Sequence, residues 1–223
     1  MECKYLNNQV CISSLGEYRL CCVSNEPRNK ETVQTTTPAE WHNSQVHTLA
    51  RKQMSKDVWP DACNRCEMLE EKGLSSMRQQ TKGFGPSGIT HLDIRFGNTC
   101  NLKCVSCYHL SSHSIAEEAV AMQRAGVTPL HDVLEVPHFN WASEETFSQF
   151  DDLPLKEVYL TGGEPMMVKK LDKFLERLDP SVTVRFNTNG TLWNPKIESI
   201  LKRFDKVIMT MSLDAASNKI NYI

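Results

Sequence analysis

The sequence contains no long hydrophobic run and no strong excess of charge of either sign. No stretch of about 18 apolar residues occurs, the length that a membrane-spanning helix needs. The N-terminus has neither the basic region nor the apolar region of a secretory signal. The formal net charge is −2 over 223 residues, which gives no electrostatic reason to expect nucleic acid or an anionic membrane as a partner. We therefore expect a soluble, cytoplasmic protein that binds neither nucleic acid nor membrane.

Cysteine, by contrast, is abundant. The chain has nine cysteines, an odd number, and in a reducing compartment they are not expected to form a disulfide framework. Most of them fall into three groups, which are Cys21-Cys22, Cys63-x-x-Cys66 and Cys100-x-x-x-Cys104-x-x-Cys107. The ligands of one metal centre must converge on it, so closely spaced cysteines indicate metal binding.

Strand and helix patterns alternate from residue 91 onward. Strands are predicted at 91–96, 156–161, 182–187 and 206–212. One helix is predicted to begin at Ser114, with Glu117 completing a capping box and Gly126 just past its end. Another is predicted to follow Asn194, its expected N-cap. This alternation predicts a parallel sheet whose ligands bind at the carboxyl ends of the strands.

The chain divides into three segments by composition. Residues 1–80 are polar and loop-rich, carry six of the nine cysteines and include a helix predicted at 44–54. Residues 81–90 combine glycine, proline and serine and are predicted to be a linker. Residues 91–223 hold the predicted sheet.

The cysteine loop at 100–107 directly follows the first predicted strand. Three thiolates on one short loop can hold three irons of a cubane and leave the fourth iron open to a substrate. A zinc site that borrows a fourth ligand, such as His109, is the alternative.

A second motif, T-G-G-E-P at 161–165, ends the next predicted strand. Its two glycines allow a ligand to approach the backbone closely. Glu164 then places a carboxylate in the crevice at the strand ends, where it suits an ammonium group. The alternative is an ordinary turn with a surface glutamate.

With both motifs in this order, the chain resembles radical S-adenosylmethionine (SAM) enzymes. The resemblance implies an α/β fold, a partial (β/α)6 TIM-type barrel of which about four βα units are present, preceded by a small cysteine-rich module. It implies a [4Fe–4S] cluster on Cys100, Cys104 and Cys107. It also implies SAM contacts by Gly162, Gly163, Glu164, Pro165, Asn187, Asn189, Ser212 and Asp214. The chain departs from the family pattern at Ser106, where an aromatic residue is usual.

The N-terminal cysteines resemble the SPASM or twitch auxiliary modules of the same enzymes. Gly16 and Cys21 have the spacing of the G-x-x-x-x-C turn in that pattern. The resemblance implies a second iron–sulfur cluster, with ligands Cys3, Cys21, Cys63 and Cys66, and with Cys22 or Cys11 as replacements. A zinc ribbon is the alternative, because paired cysteines suit tetrahedral zinc equally well.

The reaction implied by the resemblance is reductive cleavage of SAM to a 5′-deoxyadenosyl radical, which takes hydrogen from a substrate. The expected partners are an electron donor such as flavodoxin or ferredoxin, a peptide or protein substrate, and a second chain that completes the barrel. The sequence is expected to be a fragment, since the six-unit template requires two further strands. The competing hypothesis is a non-catalytic iron–sulfur or zinc-binding remnant. His113, His131 and His138 are predicted to be exposed or packing residues.

Overall fold

The computed structural model describes residues 1–25, 31–80 and 88–213. Over these residues the strands are β1 (Gln9–Ile12), β2 (Tyr18–Arg19), β3 (His91–Ile94), β4 (Glu157–Leu160), β5 (Thr183–Thr188) and β6 (Val207–Met211). The α-helices are α1 (Lys4–Asn8), α2 (Pro38–His42), α3 (Gln45–Ser55), α4 (Asn64–Glu71), α5 (Met77–Gln80), α6 (His113–Arg124), α7 (Glu144–Ser148), α8 (Leu171–Arg177) and α9 (Pro195–Leu201). Short 3₁₀ turns lie at Asp61–Cys63 and Pro165–Met167. None of the described helices has the length and apolar character needed to cross a bilayer.

The strands form one open, mostly parallel sheet in the order β2-β1-β3-β4-β5-β6. All neighbouring pairs are parallel except β1 with β2, which lies antiparallel at one edge. The α/β fold is therefore confirmed, and the open sheet is consistent with a partial barrel. Since parallel strands end at the same edge, the loops that follow β3, β4 and β5 lie side by side.

One face of the sheet carries the hydrophobic core. Buried and half-buried residues alternate along β4 and β5, as expected when only one face is covered. The buried face consists of Leu92, Ile94, Val158, Leu160, Val184 and Phe186. Phe174 of α8 packs there against Phe96 and Phe147, with ring centroids 5.2 and 5.3 Å away. The opposite face of β4 and β5 is polar and carries Tyr159 and Asn187.

The N-terminal segment supplies two strands that the sequence pattern did not predict. β1 pairs in parallel with β3, in a register that places Cys11 opposite Asp93. Residues 88–90 run beside the end of α1, where the N–H of Thr90 donates to the Asn8 carbonyl at 3.0 Å. The predicted linker otherwise falls on 81–87, outside the described residues. Residues 1–80 thus share the sheet with the rest of the chain.

The N-terminal helices pack around Trp41. Its ring stacks on Tyr18 with centroids 5.7 Å apart and meets the edge of His47 at 5.6 Å. All three side chains are buried. A capping box between Thr37 and Glu40 begins the helix that carries Trp41. This cluster fixes α2 and α3 against β2.

The helix predicted at 44–54 is α3 and the predicted start at Asn194 was confirmed, whereas the start predicted at Ser114 was wrong. The side chain of Asn194 caps α9 by accepting from the N–H of Lys196 at 3.0 Å. The capping box predicted at Ser114 does not form, because α6 begins at His113 and the Ser114 hydroxyl donates to the Cys100 carbonyl at 3.3 Å. That serine is used to hold the cysteine loop.

Candidate cluster and cofactor site

The predicted cluster loop runs from the end of β3 to the start of α6. Its three thiols are free, with Cys100 buried and Cys104 and Cys107 half-buried. The N–H of Cys107 donates to the Cys104 carbonyl at 2.9 Å, which turns the loop back on itself. Burial raises the pKa of Cys100, and the negative charges of Cys107, Glu164 and Cys104 raise it further. The three thiols and the Glu164 carboxylate therefore lie close enough to interact.

Asn98 joins the cluster loop to the segment that covers it. Its fully buried amide donates from Nδ2 to the carbonyls of His109 at 3.1 Å and Pro137 at 2.8 Å. Its Oδ1 accepts from the N–H of Phe139 at 3.1 Å. A fully satisfied buried amide of this kind rigidifies its surroundings. Sequence reasoning missed Asn98, because an asparagine after a strand is typical of any loop.

Two histidines brace the backbone of the first cysteine. His113 Nδ1 accepts from the N–H of Cys100 at 3.1 Å. Its ring stacks on His138 at 4.4 Å, and His138 Nε2 lies 2.9 Å from the Thr99 hydroxyl. These residues pack as predicted, but their contacts also position the loop, which the sequence did not indicate.

The glycine pair packs directly against the cluster loop. Gly162 and Gly163 have φ of +73° and +58°, the left-handed region that favours glycine. A Cβ at Gly163 would lie 2.4 Å from the Thr99 carbonyl oxygen, and one at Gly162 would lie 2.7 Å from Arg95 Cβ. Glycine is therefore required at both positions for the two loops to meet.

Glu164 connects the ends of β4 and β5. It is 1% exposed. Its Oε1 accepts from the Thr188 hydroxyl at 2.8 Å and the Met166 N–H at 3.1 Å, and its Oε2 accepts from the Asn189 N–H at 2.7 Å. A carboxylate offers about four acceptor positions, so three are occupied by the chain itself. The alternative of a surface glutamate is wrong.

The end of β5 also reaches the cluster loop. Asn189 Nδ2 donates to Asn101 Oδ1 at 2.9 Å and lies 3.9 Å from Cys100 Sγ. Asn187 lies two residues earlier, on the polar face of β5, where its Nδ2 donates to the Tyr159 hydroxyl at 2.8 Å. Asn189 is thus beside the cysteine, whereas Asn187 is deeper in the sheet.

The last predicted SAM contacts lie after β6. The N–H of Ser212 donates to the Thr188 carbonyl at 2.9 Å, which places it at the same edge of the sheet as Glu164. Asp214 lies outside the described residues.

The four predicted auxiliary ligands line one cavity. Cys3, Cys21, Cys63 and Cys66 all border it, together with Arg78. Burial raises the pKa of Cys3, and the charge of Cys66 adds to this increase. The chain therefore brings these four cysteines to one place from three segments, which are the residue before α1, the turn after β2 and the C-x-x-C stretch at 63–66.

Cys11 and Cys22, the proposed replacements, face a different group. Both thiols contact Asp93. Burial raises the pKa of Asp93, and the charge of Arg95 and hydrogen bonds from the two thiols offset only part of this increase. Arg95 Nη2 lies 3.6 Å from Asp93 Oδ1, and its Nη1 lies 3.7 Å from Cys11 Sγ. Neither cysteine borders the four-cysteine cavity.

The donor sets fit iron–sulfur chemistry. In the described part of the chain, no three cysteine, histidine or acidic side chains converge as ligands of a single metal ion. His109, the alternative zinc ligand, packs on His131 with ring centroids 5.7 Å apart. Three free thiols on one loop are a donor set of the kind that holds an iron–sulfur cluster.

Comparison with known proteins gives a limited set of similarities. No protein-family model matches the chain. It is 27% identical over 128 residues to a probable GTP 3′,8-cyclase of Methanocella arvoryzae, covering 57% of this chain and 35% of that protein. It is 25% identical over 134 residues to the GTP 3′,8-cyclase of Desulforamulus reducens, again covering 57% and 35%. The chain therefore spans about a third of the length of these curated relatives.

Among solved structures, the chain is similar to Streptococcus suis SuiB bound to S-adenosylmethionine. The identity is 15%, the TM-score is 0.36, and the match covers 92% of this chain and 34% of that chain. The two curated relatives support the resemblance of this chain to the radical SAM superfamily.

Proposed function

We propose that this chain binds a [4Fe–4S] cluster and SAM and cleaves SAM reductively to begin a radical reaction. The observation that carries the proposal is that the glycine–glutamate turn and the end of β5 both pack against the start of the cysteine loop. The N–H of Glu164 donates to the Thr99 carbonyl at 2.8 Å, and the Asn189 amide lies 3.9 Å from Cys100 Sγ. Residues suited to a cluster and residues suited to an amino acid ligand thus share one edge of the sheet.

Each group of side chains has a distinct role in this proposal. Cys100, Cys104 and Cys107 would hold three irons of the cluster and leave the fourth open to the amino and carboxylate groups of SAM. A reduced cluster bound there would supply the electron for reductive cleavage of SAM. Gly162 and Gly163 allow the methionine end to lie against the backbone.

Glu164 provides negative charge beside the ammonium group of SAM and aligns β5 with the cysteine loop. Asn187, Asn189, Ser212 and Asp214 contact the carboxylate and ribose, and Pro165 completes the turn. Cys3, Cys21, Cys63 and Cys66 hold a second cluster in their shared cavity. An electron donor such as flavodoxin or ferredoxin and a peptide or protein substrate are the proposed partners, with a second chain completing the barrel.

The test is anaerobic reconstitution with iron and sulfide, followed by incubation with SAM and dithionite. The chain should produce 5′-deoxyadenosine and methionine. Joint replacement of Cys100, Cys104 and Cys107 by alanine should abolish both products. Val105→Ser is the matched control, since Val105 lies inside the same loop and is 91% exposed. It should retain iron and activity.

Two outcomes favour the competing hypothesis. A chain with full iron content that releases no 5′-deoxyadenosine would be a non-catalytic iron–sulfur protein. Stoichiometric zinc without iron after reconstitution would identify a zinc-binding protein.

A further inference from the structure

A cavity of about 450 Å³ opens beside the cluster loop. Its wall includes Tyr108, the neighbour of Cys107, and Cys22, the neighbour of Cys21. The third side is Arg95, whose side-chain stem covers Gly162. The cavity therefore borders the cluster loop at Tyr108 and the side chain of Arg95, whose stem packs on Gly162.

Arg95 enters this cavity with most of its hydrogen-bonding capacity unused. A guanidinium has five N–H donors, and the side chain of Arg95 is 19% exposed. Its contacts are the Asp93 carboxylate at 3.6 Å and the Cys11 sulfur at 3.7 Å. Within the described ranges it makes no hydrogen bond to an oxygen. The remaining donors can therefore pair with an acceptor that enters from the cavity.

Charge on the rim limits what the cavity accepts. Glu17 and Asp132 also line it, opposite in sign to Arg95 and Arg19. This balance disfavours a ligand with many negative charges, while the planar fork of Arg95 matches a single carboxylate or phosphate.

We propose that this cavity binds the substrate of the enzyme through one oxyanion group, a carboxylate or a phosphate, held by Arg95. This assignment of the ligand as substrate rests on the proposed function. The cavity borders Tyr108, the neighbour of Cys107, so a ligand held there lies close to the proposed cluster loop.

The test is calorimetric titration of the reconstituted full chain with acetate and, separately, with inorganic phosphate, with SAM present and absent. At least one anion should bind saturably at one site. Arg95→Lys keeps the charge that pairs with Asp93 but loses the fork, and should weaken binding about tenfold or more. Arg203→Gln, which removes an exposed arginine outside the cavity, should bind like the original chain. Saturable binding of phosphate alone would indicate a phosphorylated substrate. Saturable binding of acetate alone would indicate a substrate with a carboxylate group.

Absence of saturable binding by either anion would overturn the proposal, as would equal affinity in Arg95→Lys and the original chain. Formation of 5′-deoxyadenosine is measured on the same samples. If SAM is not cleaved but anion binding depends on Arg95, the proposed function fails and the oxyanion site stands. If SAM is cleaved and no anion binds, only the oxyanion site fails.

Discussion

The two groups of cysteines in this chain are assembled in opposite ways. Cys100, Cys104 and Cys107 lie on one short loop that follows a single strand. Cys3, Cys21 and the pair Cys63 and Cys66 reach their shared cavity from three separate segments. The first site therefore depends mainly on local geometry, whereas the second forms only when the N-terminal helices and β2 are packed.

The contacts that hold the two sites in place also differ in kind. Polar contacts hold the loop, through Asn98, His113 and Glu164. Hydrophobic packing holds the N-terminal segment, where Trp41 and Tyr18 are fully buried. A perturbation of packing should therefore affect the N-terminal site first.

Replacing a single cysteine at each site should give the largest difference between the two sites, measured as iron content and free energy of unfolding. Cys104→Ala should release the loop cluster, about four irons, with little change in the free energy of unfolding. Cys66→Ala should release the other cluster and also lower the free energy of unfolding, because metal binding there joins distant segments. Iron analysis and anaerobic denaturant titration measure both quantities. Equal loss of stability in the two variants would contradict the comparison.

Truncation of the N-terminal aromatic core comes next. Trp41→Ala should lower the free energy of unfolding by about 3–5 kcal/mol, the usual cost of such a cavity. In denaturant, iron should leave the N-terminal cavity before it leaves the loop. Trp193→Ala is the control, since Trp193 is 50% exposed. Simultaneous iron loss from both sites in Trp41→Ala would mean that the segments unfold together.

Removing the charge of Glu164 should affect SAM binding at the loop site and leave the N-terminal site unchanged. Glu164→Gln places an N–H₂ group where the carboxylate accepts from the Thr188 hydroxyl or the Asn189 N–H. SAM affinity should fall about tenfold to a hundredfold, in line with a charge-assisted hydrogen bond of about 1.5–3 kcal/mol. Equilibrium binding and iron content are the measurements, with Glu145→Gln, an exposed site, as control. Unchanged affinity would leave Glu164 as a purely structural brace.

Mild acid should lower the free energy of unfolding of the N-terminal segment by less than Trp41→Ala does. Burial, followed by the charge of Arg51, lowers the pKa of His47 to about 3, against about 6.5 in the unfolded chain. Between these values the unfolded state binds a proton that the folded state does not, so stability is complete above about pH 6.5 and falls as the pH drops. The loss from His47 should be about 2 kcal/mol between about pH 6.5 and about pH 5.

Denaturant titrations at both pH values measure this change, and His47→Gln should remove most of the slope. An unchanged slope in that variant would assign the acid sensitivity to other groups.

Strong local patterns predicted β3 to β6, the helix capped by Asn194 and the two motifs. β1 was missed because Gln9–Ile12 is four residues long and buried throughout, so it shows no alternation. Asn98 and His113 were missed as positioning residues because their partners lie elsewhere in the loop or beyond it. Polar residues with distant partners have no characteristic spacing.

By itself, the sequence determined the chemistry available at the sheet edge. Three thiols within eight residues stay near one another, and two adjacent glycines permit left-handed backbone, because both effects are local. Only the tertiary structure decided that Glu164 is buried between Thr188 and Asn189, that cysteines from three distant segments share a cavity, and that Arg95 lines an open cavity. Those relations depend on which strands become neighbours, and neighbours are set by packing of the whole sheet.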